Sequence, residues 1–205
     1  MTILLLIRHG ENDYLKKNKL PGRLPGVHLN DRGRGQAAAL AGTLSLLPIK
    51  VIYSSPLERA VETAHPLAEA KGLEIQVRPE LADTDVGDWV SRSWKSLLRL
   101  KAWKIIQETP SQFRFPGGES FIEAQTRVVA ALESIAANHA KDEMTAVFFH
   151  ADPIKLALAH YLGMPLDNFQ RLTANTGSVT ILRVDGLSTC VLAFNLIPPF
   201  SFPQK

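Results

Sequence analysis

Ile3-Leu4-Leu5-Leu6-Ile7 is an unbroken apolar run that stops at Arg8-His9-Gly10-Glu11. A run with no polar alternation predicts a strand buried on both faces, as in a parallel sheet covered by helices. Thr145-Ala146-Val147-Phe148-Phe149 repeats the pattern and is followed at once by His150. Around these two runs, short β-branched segments alternate with longer helical patterns. That order predicts an α/β fold with a mostly parallel sheet and helices on both faces.

Working outward, a helix is predicted from Asn30 to Leu47, with Asn30 or Asp31 as its cap and Pro48 closing it. Val51-Ile52-Tyr53 reads as a strand. Ser54-Ser55-Pro56 then supplies a cap and an early proline for a helix that runs to Lys71 and stops at Gly72. Ile75-Gln76-Val77 reads as a short strand, followed by an acidic loop from Glu80 to Trp89 that is expected to lie outside the core. Gly117-Gly118-Glu119-Ser120 precedes a helix from about Phe121 to Asn138, and a further helix from Pro153 to Leu162 ends at Gly163. Val179 to Leu182 and Thr189 to Leu196 form a closing strand pair around Asp185-Gly186. With no repeat, low-complexity tract or linker, residues 1–205 read as one domain, with an irregular Pro-rich tail from about Pro198.

Composition narrows the function classes. The 205 residues are 45% apolar and 21% charged, and the formal net charge is +3. These are ordinary values for a globular chain, without the dense basic stripe of a nucleic-acid binder, and they favour a small anionic partner. No stretch reaches the roughly 18 apolar residues of a membrane helix. The N-terminal run is too short for a signal core and lacks a basic segment before it, so a cytoplasmic location is expected. The single cysteine, Cys190, has no internal partner and is expected to be a core thiol in a reducing compartment. His28, His65, His139 and His160 show no metal-ligand spacing. Arg92, Lys95 and Arg99 lie at helical spacing among Trp94, Leu97, Leu98 and Trp103. The favoured reading is a solvated helix face, the alternative a basic cap for a second anionic group on the substrate.

Two predicted strands ending directly in histidine carry the chemistry. In open α/β sheets ligands sit at the carboxyl ends of strands, so neighbouring strands would point His9 and His150 into one pocket. Arg59 falls about one helical turn after the Val51 strand, at the same rim. Phosphoryl transfer asks for positioning and for positive charge on the equatorial oxygens, which Arg8, Arg59 and His150 supply. A neutral imidazole, with an ordinary pKa of about 6.5, is a nucleophile near neutral pH. His9 is the better candidate, because Gly10 lets the backbone approach the phosphate and fix the ring's tautomer. The leaving alkoxide needs a proton, for which the acidic loop offers Asp83 or Asp85. Glu11 is either a charge partner for a phosphate-binding arginine or a surface residue.

These motifs resemble the histidine phosphatase superfamily, which includes cofactor-dependent phosphoglycerate mutases. The likeness is carried by Arg8-His9-Gly10-Glu11, Leu29-Asn30-Asp31-Arg32-Gly33 with Gln36-Ala37, and Ser54-Ser55-Pro56-Leu57-Glu58-Arg59-Ala60 with Glu62-Thr63-Ala64. Pro116-Gly117-Gly118-Glu119-Ser120 and His150 complete it, in matching order, from Ile3 to about Leu182. The resemblance implies a three-layer α/β/α sandwich, a phosphohistidine on His9, phosphate contacts from Arg8, Arg59 and His150, and neither metal nor cofactor. Three departures stand out. Asp83 occupies the place where the family usually has a glutamate proton donor, one methylene longer. Ala151 replaces the usual glycine after the second histidine, at the phosphate floor. Leu15 replaces a phosphate-binding asparagine, a contact that moves to Asn12 or Arg23 if it persists.

The expected activity is hydrolysis of a small phosphorylated metabolite, with His9 attacking phosphorus and Asp83 protonating the alcohol. Mutase-type transfer is the first alternative, disfavoured because the family's mutases are longer in the middle segment than Val90 to Pro116 here. A non-catalytic phospholigand-binding module is the second. The alcohol and the oligomeric state stay open.

Overall fold

Residues 3–7 form the centre of strand β1 (Thr2–Arg8) in a computed structural model that describes residues 2–140, 143–185, 188–200 and 202. The other strands are β2 (Ile49–Ser54), β3 (Ile75–Val77), β4 (Met144–Phe149), β5 (Val179–Asp185) and β6 (Ser188–Leu196). They make one six-stranded sheet in the order β3-β2-β4-β1-β5-β6. The first four of these lie parallel, and β5 and β6 are antiparallel additions at one side. β1 sits beside β4 with Arg8 opposite Phe149, so His9 and His150 leave the sheet side by side.

The alternation of side chains along β1 and β4 explains why both strands are apolar throughout. Leu5, Ile7, Ala146 and Phe148 pack on one face against Leu40, Leu44 and Leu67, which come from α2 (Asp31–Leu44) and α3 (Glu58–Lys71). Leu4, Leu6, Val147 and Phe149 pack on the other face against Val128, Leu132, Ile154 and Leu158, from α6 (Phe121–Ala137) and α7 (Ala151–Tyr161). Each fully buried leucine, isoleucine, valine or phenylalanine among these contributes about 1.5–3 kcal/mol, so the three layers follow from the pattern. Trp89, Phe113, Phe115, Phe121 and Phe169 form a separate aromatic core. It underlies the segment that holds α4 (Trp94–Leu97) and α5 (Lys101–Glu108).

Several expectations are corrected. Ser54 is the buried last residue of β2, and α3 starts only at Glu58 with Leu57 at its N-cap and no capping side chain, because Ser54 to Pro56 are used for the turn. Gly72 ends α3 as expected, in a left-handed conformation with φ of 63°. The helix capped by Asn30 stops at Leu44, where the chain turns to enter β2 at Ile49. The acidic loop is not outside the core: its apolar residues Leu81, Val86 and Trp89 are buried and anchor it. Cys190 is exposed, because its strand β6 is the outermost of the sheet. In the tail, Phe200 and Phe202 pack against the core on the α2 and α3 side. Gly186 of the expected turn lies outside the described residues. None of the described helices is long and apolar enough to cross a membrane.

Candidate active site

The carboxyl ends of β1, β2 and β4 deliver the polar groups, and the elements that follow hold them in place. His9 is buried, with Nδ1 2.7 Å from the Gly10 carbonyl oxygen. A carbonyl only accepts, so Nδ1 carries the proton and Nε2 keeps its lone pair. The Arg59 Nε–H donates to that Nε2 at 3.3 Å. Burial first, then the charges of Arg59 and Arg8, push the His9 pKa well below its ordinary value and keep the ring neutral.

The Gly10 carbonyl fixes the tautomer of His9 as expected, and the missing side chain of Gly10 serves a further purpose. A Cβ there would stand 2.6 Å from the Gly33 carbonyl oxygen, and one on Gly33 would stand 2.0 Å from the Glu11 oxygen. The two glycines let α2 meet the tip of β1 backbone to backbone. The Gly10 N–H donates to Thr63 Oγ1 at 2.9 Å, and that hydroxyl donates to the Arg59 carbonyl at 2.6 Å. Thr63 thereby ties the first turns of α3 to the strand that carries His9.

His150 is fully buried at the N-cap of α7. Its Nε2 is 2.8 Å from Ser55 Oγ, which also accepts the Leu57 N–H at 3.3 Å. The hydroxyl proton is therefore free to go to Nε2, which leaves the His150 proton on Nδ1, 3.6 Å from Asp83 Oδ2. Burial and the nearby Arg59 hold the His150 pKa well below normal. The rings of His9 and His150 are 5.2 Å apart.

Arg59 is wholly buried and donates through Nη2 to the Gly22 carbonyl at 2.7 Å and to Asp83 Oδ2 at 3.2 Å. Asp83 Oδ1 accepts the Thr84 N–H at 2.9 Å. Burial, helped by the charge of Asp152, raises the Asp83 pKa against the opposing pull of Arg59. Arg8 donates through Nη1 to the Ala174 carbonyl at 2.5 Å. Arg8 Nε, Arg59 Nη1 and His150 Nδ1 are buried and have no hydrogen-bond partner among the described residues. Buried donors on three cationic or imidazole side chains are costly unless an acceptor meets them, and an oxyanion is the natural acceptor.

Arg8, His9, Asp83, Thr84, Ala151 and Asp152 line a cavity of about 100 Å³, with Leu15, Leu20, Val86 and Trp94 on its apolar side. A pocket that encloses a whole small ligand has roughly 300–1,000 Å³. This one is too small for such a ligand and about large enough for an oxyanion.

The structure thus brings Arg8, His9, Arg59, Asp83, His150 and Ala151 together, and leaves other candidates elsewhere. Arg23 does not line the cavity. Its guanidinium is used by the Asp83 carbonyl at 2.7 Å and by Glu119 at 3.0 Å. Asn12 caps α1 (Asp13–Lys16) by accepting the Leu15 N–H; like Arg59 and His150 it does not line this cavity itself, and its Nδ2 is likewise buried without a partner among the described residues. Asp85 faces Arg23 at 3.6 Å. Glu11 pairs with Asn30 and with the exposed Arg32, so it orients no arginine of the cavity. Arg92, Lys95 and Arg99 do not line the cavity; that stretch breaks into α4 and α5, and Lys95 and Arg99 are exposed. Ser55, Thr63, Glu119 and Arg127 also take part in holding the site, through contacts that local sequence does not signal. Ser55, Thr63 and Glu119 stand inside the motifs, but their partners are distant in sequence, and Arg127 gave no signal.

A mostly parallel sheet flanked by helices, with two histidines and two arginines gathered at the carboxyl ends of its parallel strands, defines an oxyanion-binding enzyme-like site. The chain belongs to the histidine phosphatase superfamily, branch 1, whose family model matches residues 4–196. It is similar to phosphoserine phosphatase 1 of Hydrogenobacter thermophilus, at 29% identity over 96% of this chain and 93% of that protein. It also resembles a 2,3-bisphosphoglycerate-dependent phosphoglycerate mutase of Thermoplasma acidophilum, at 27% identity over 90% of this chain and 88% of that protein. Length therefore does not separate mutases from this chain, and that part of the case for hydrolysis falls. Among solved structures, a mycobacterial glucosyl-3-phosphoglycerate phosphatase complexed with VO3 superposes with a TM-score of 0.86 at 26% identity. That match covers 94% of this chain and 98% of the other.

Proposed function

We propose that residues 1–205 act as one domain that hydrolyses a small phosphomonoester through a phosphohistidine on His9. The observation that carries this reading is the set of buried, unpartnered donors of Arg8, Arg59 and His150 beside the His9 Nε2 lone pair. In the first step His9 Nε2 attacks phosphorus in line, the N–P bond forms, and the ester P–O bond breaks. The departing alkoxide takes the Asp83 proton. Arg8, Arg59 and His150 donate to the equatorial oxygens, where charge accumulates. In the second step water gives a proton to Asp83 and attacks phosphorus, which frees inorganic phosphate and restores both side chains.

The similar phosphatases favour water as the final acceptor, and VO3 in one of them is an oxyanion of the kind these donors suit. The cytoplasm fits a chain with one cysteine and no internal partner for it. Return of the phosphoryl group to a second hydroxyl is the competing reading, supported by the mutase of matching length. Both products are measured on 3-phosphoglycerate and on a panel of alkyl phosphates. Hydrolysis predicts inorganic phosphate from at least one ester and no net isomer from phosphoglycerate. Isomer formation outrunning phosphate release would establish the mutase reading, and no turnover of any ester would refute both.

A further inference from the structure

We propose that Glu119 is a positioning residue for the proton donor: clamped between Arg23 and Arg127, it holds the main chain at Asp83 so that the carboxyl reaches the leaving oxygen. The proposal rests on the reading of Asp83 as that donor.

Glu119 does not line the cavity, and its side chain is only 15% exposed. Oε1 accepts from Arg23 Nη2 at 3.0 Å, from Arg127 Nη2 at 2.6 Å and from the Asp85 N–H at 2.9 Å. Oε2 accepts from Arg127 Nε at 3.3 Å. Both guanidiniums turn their other donors onto carbonyls of the same loop. Arg23 Nε reaches the Asp83 oxygen at 2.7 Å, and Arg127 Nη1 reaches the Glu80 and Ala82 oxygens at 2.6 and 3.0 Å. Peptide groups before, at and after Asp83 are thus fixed by one carboxylate and two forks, a geometry that lysine cannot reproduce.

The turn that bears Glu119 lies directly on this loop. Asp88 N–H donates to the Pro116 carbonyl at 2.8 Å and Glu119 N–H to the Asp85 carbonyl at 3.0 Å. A Cβ on Gly118 would stand 2.3 Å from the Asp85 oxygen. An aspartyl side chain is short, so the position of its backbone decides where the carboxyl lies. A displacement of about 1 Å at a reacting group costs on the order of 10²-fold in rate. Removing the Glu119 charge leaves Arg23 and Arg127 facing each other with no carboxylate between them, and the loop loses the ionic part of its anchor.

The test measures kcat/KM of wild type, Glu119→Gln, Arg127→Lys and Asp83→Asn on two esters. An alkyl phosphate needs a proton on its leaving oxygen, whereas 2,4-dinitrophenyl phosphate leaves as a stable phenolate. Glu119→Gln and Arg127→Lys are expected to lose roughly 10- to 10²-fold on the alkyl ester and to stay within about threefold on the dinitrophenyl ester, following Asp83→Asn in pattern. Equal losses on both esters, or none, while Asp83→Asn is selective, would overturn the positioning role. Equal losses for Asp83→Asn itself would instead overturn Asp83 as the donor, and the positioning proposal with it. Should Glu119→Gln fail to fold, Arg127→Lys carries the same comparison.

Discussion

At the scale of single residues, two groups are tuned in opposite directions by the same burial. Burial pushes the His9 pKa well below its ordinary value and raises that of Asp83 above its own. The nucleophile must be deprotonated and the donor protonated, so kcat/KM is expected to peak on the acid side of neutrality. Its acid limb lies below the ordinary histidine value of about 6.5, and its alkaline limb comes from Asp83 losing its proton. Asp83→Asn removes the alkaline limb on an alkyl ester; a wild-type rate that climbs steadily to pH 9 would contradict the assignment. His9 and His150 were legible in the sequence because each ends an apolar strand, and Arg59 because it begins the next helix. The fork of Arg23 is used by Asp83 and Glu119 across the fold, which nothing local in the sequence reveals. Cys190 was misplaced for a similar reason, since a sequence does not say which strand is outermost.

Among the elements, the helices do more than cover the sheet. α2 meets the tip of β1 through Gly10 and Gly33, α3 brings Arg59 and Thr63, and α7 begins at His150. Gly33→Ala places a methyl 2.0 Å from a backbone oxygen, which no rotamer change can relieve. Overpacking of this kind costs about 1–3 kcal/mol, and here it also pushes Gly10 away from His9 Nδ1. Urea unfolding and kcat, measured together, are expected to fall together in Gly33→Ala, whereas Gly35→Ala, with open space around its Cβ inside α2, should leave kcat unchanged and raise stability by about 0.5–1 kcal/mol. Strand and helix existence was readable from periodicity, as β1, β4, α3 and α6 illustrate. Starts were less so: Ser54 looks like a cap by type, yet it belongs to β2, and tertiary packing prevails over capping preference there.

For the whole molecule, the site is a cost to the fold that a bound oxyanion offsets. His9 and His150 have folded pKa values below their unfolded ones, so the unfolded chain binds more protons under pH 6.5 and stability falls as pH drops from there. Asp83, raised in the folded state, acts in the opposite sense, giving stability that is present at low pH and lost as pH rises through its folded pKa. With the two buried histidines outweighing Asp83 and the exposed His28, whose pKa is raised beside Glu62, urea unfolding at pH 7.5 and 5.5 should show lower stability at pH 5.5, a fall made steeper by Asp83→Asn. Vanadate at a hundred times its Kd should add about 2.7 kcal/mol, and a stability that rises on acidification would refute this balance. The convergence of β1, β2, β4 and the Asp83 loop has one chemical purpose in this account, a phosphoryl group bonded to His9. The direct test is to quench a turning-over reaction in alkali, digest the protein and locate the phosphoryl group by mass spectrometry. An acid-labile, base-stable phosphate on the peptide containing His9, absent from His9→Ala, is the predicted result. The same label on another residue, or its persistence in His9→Ala, would contradict the account.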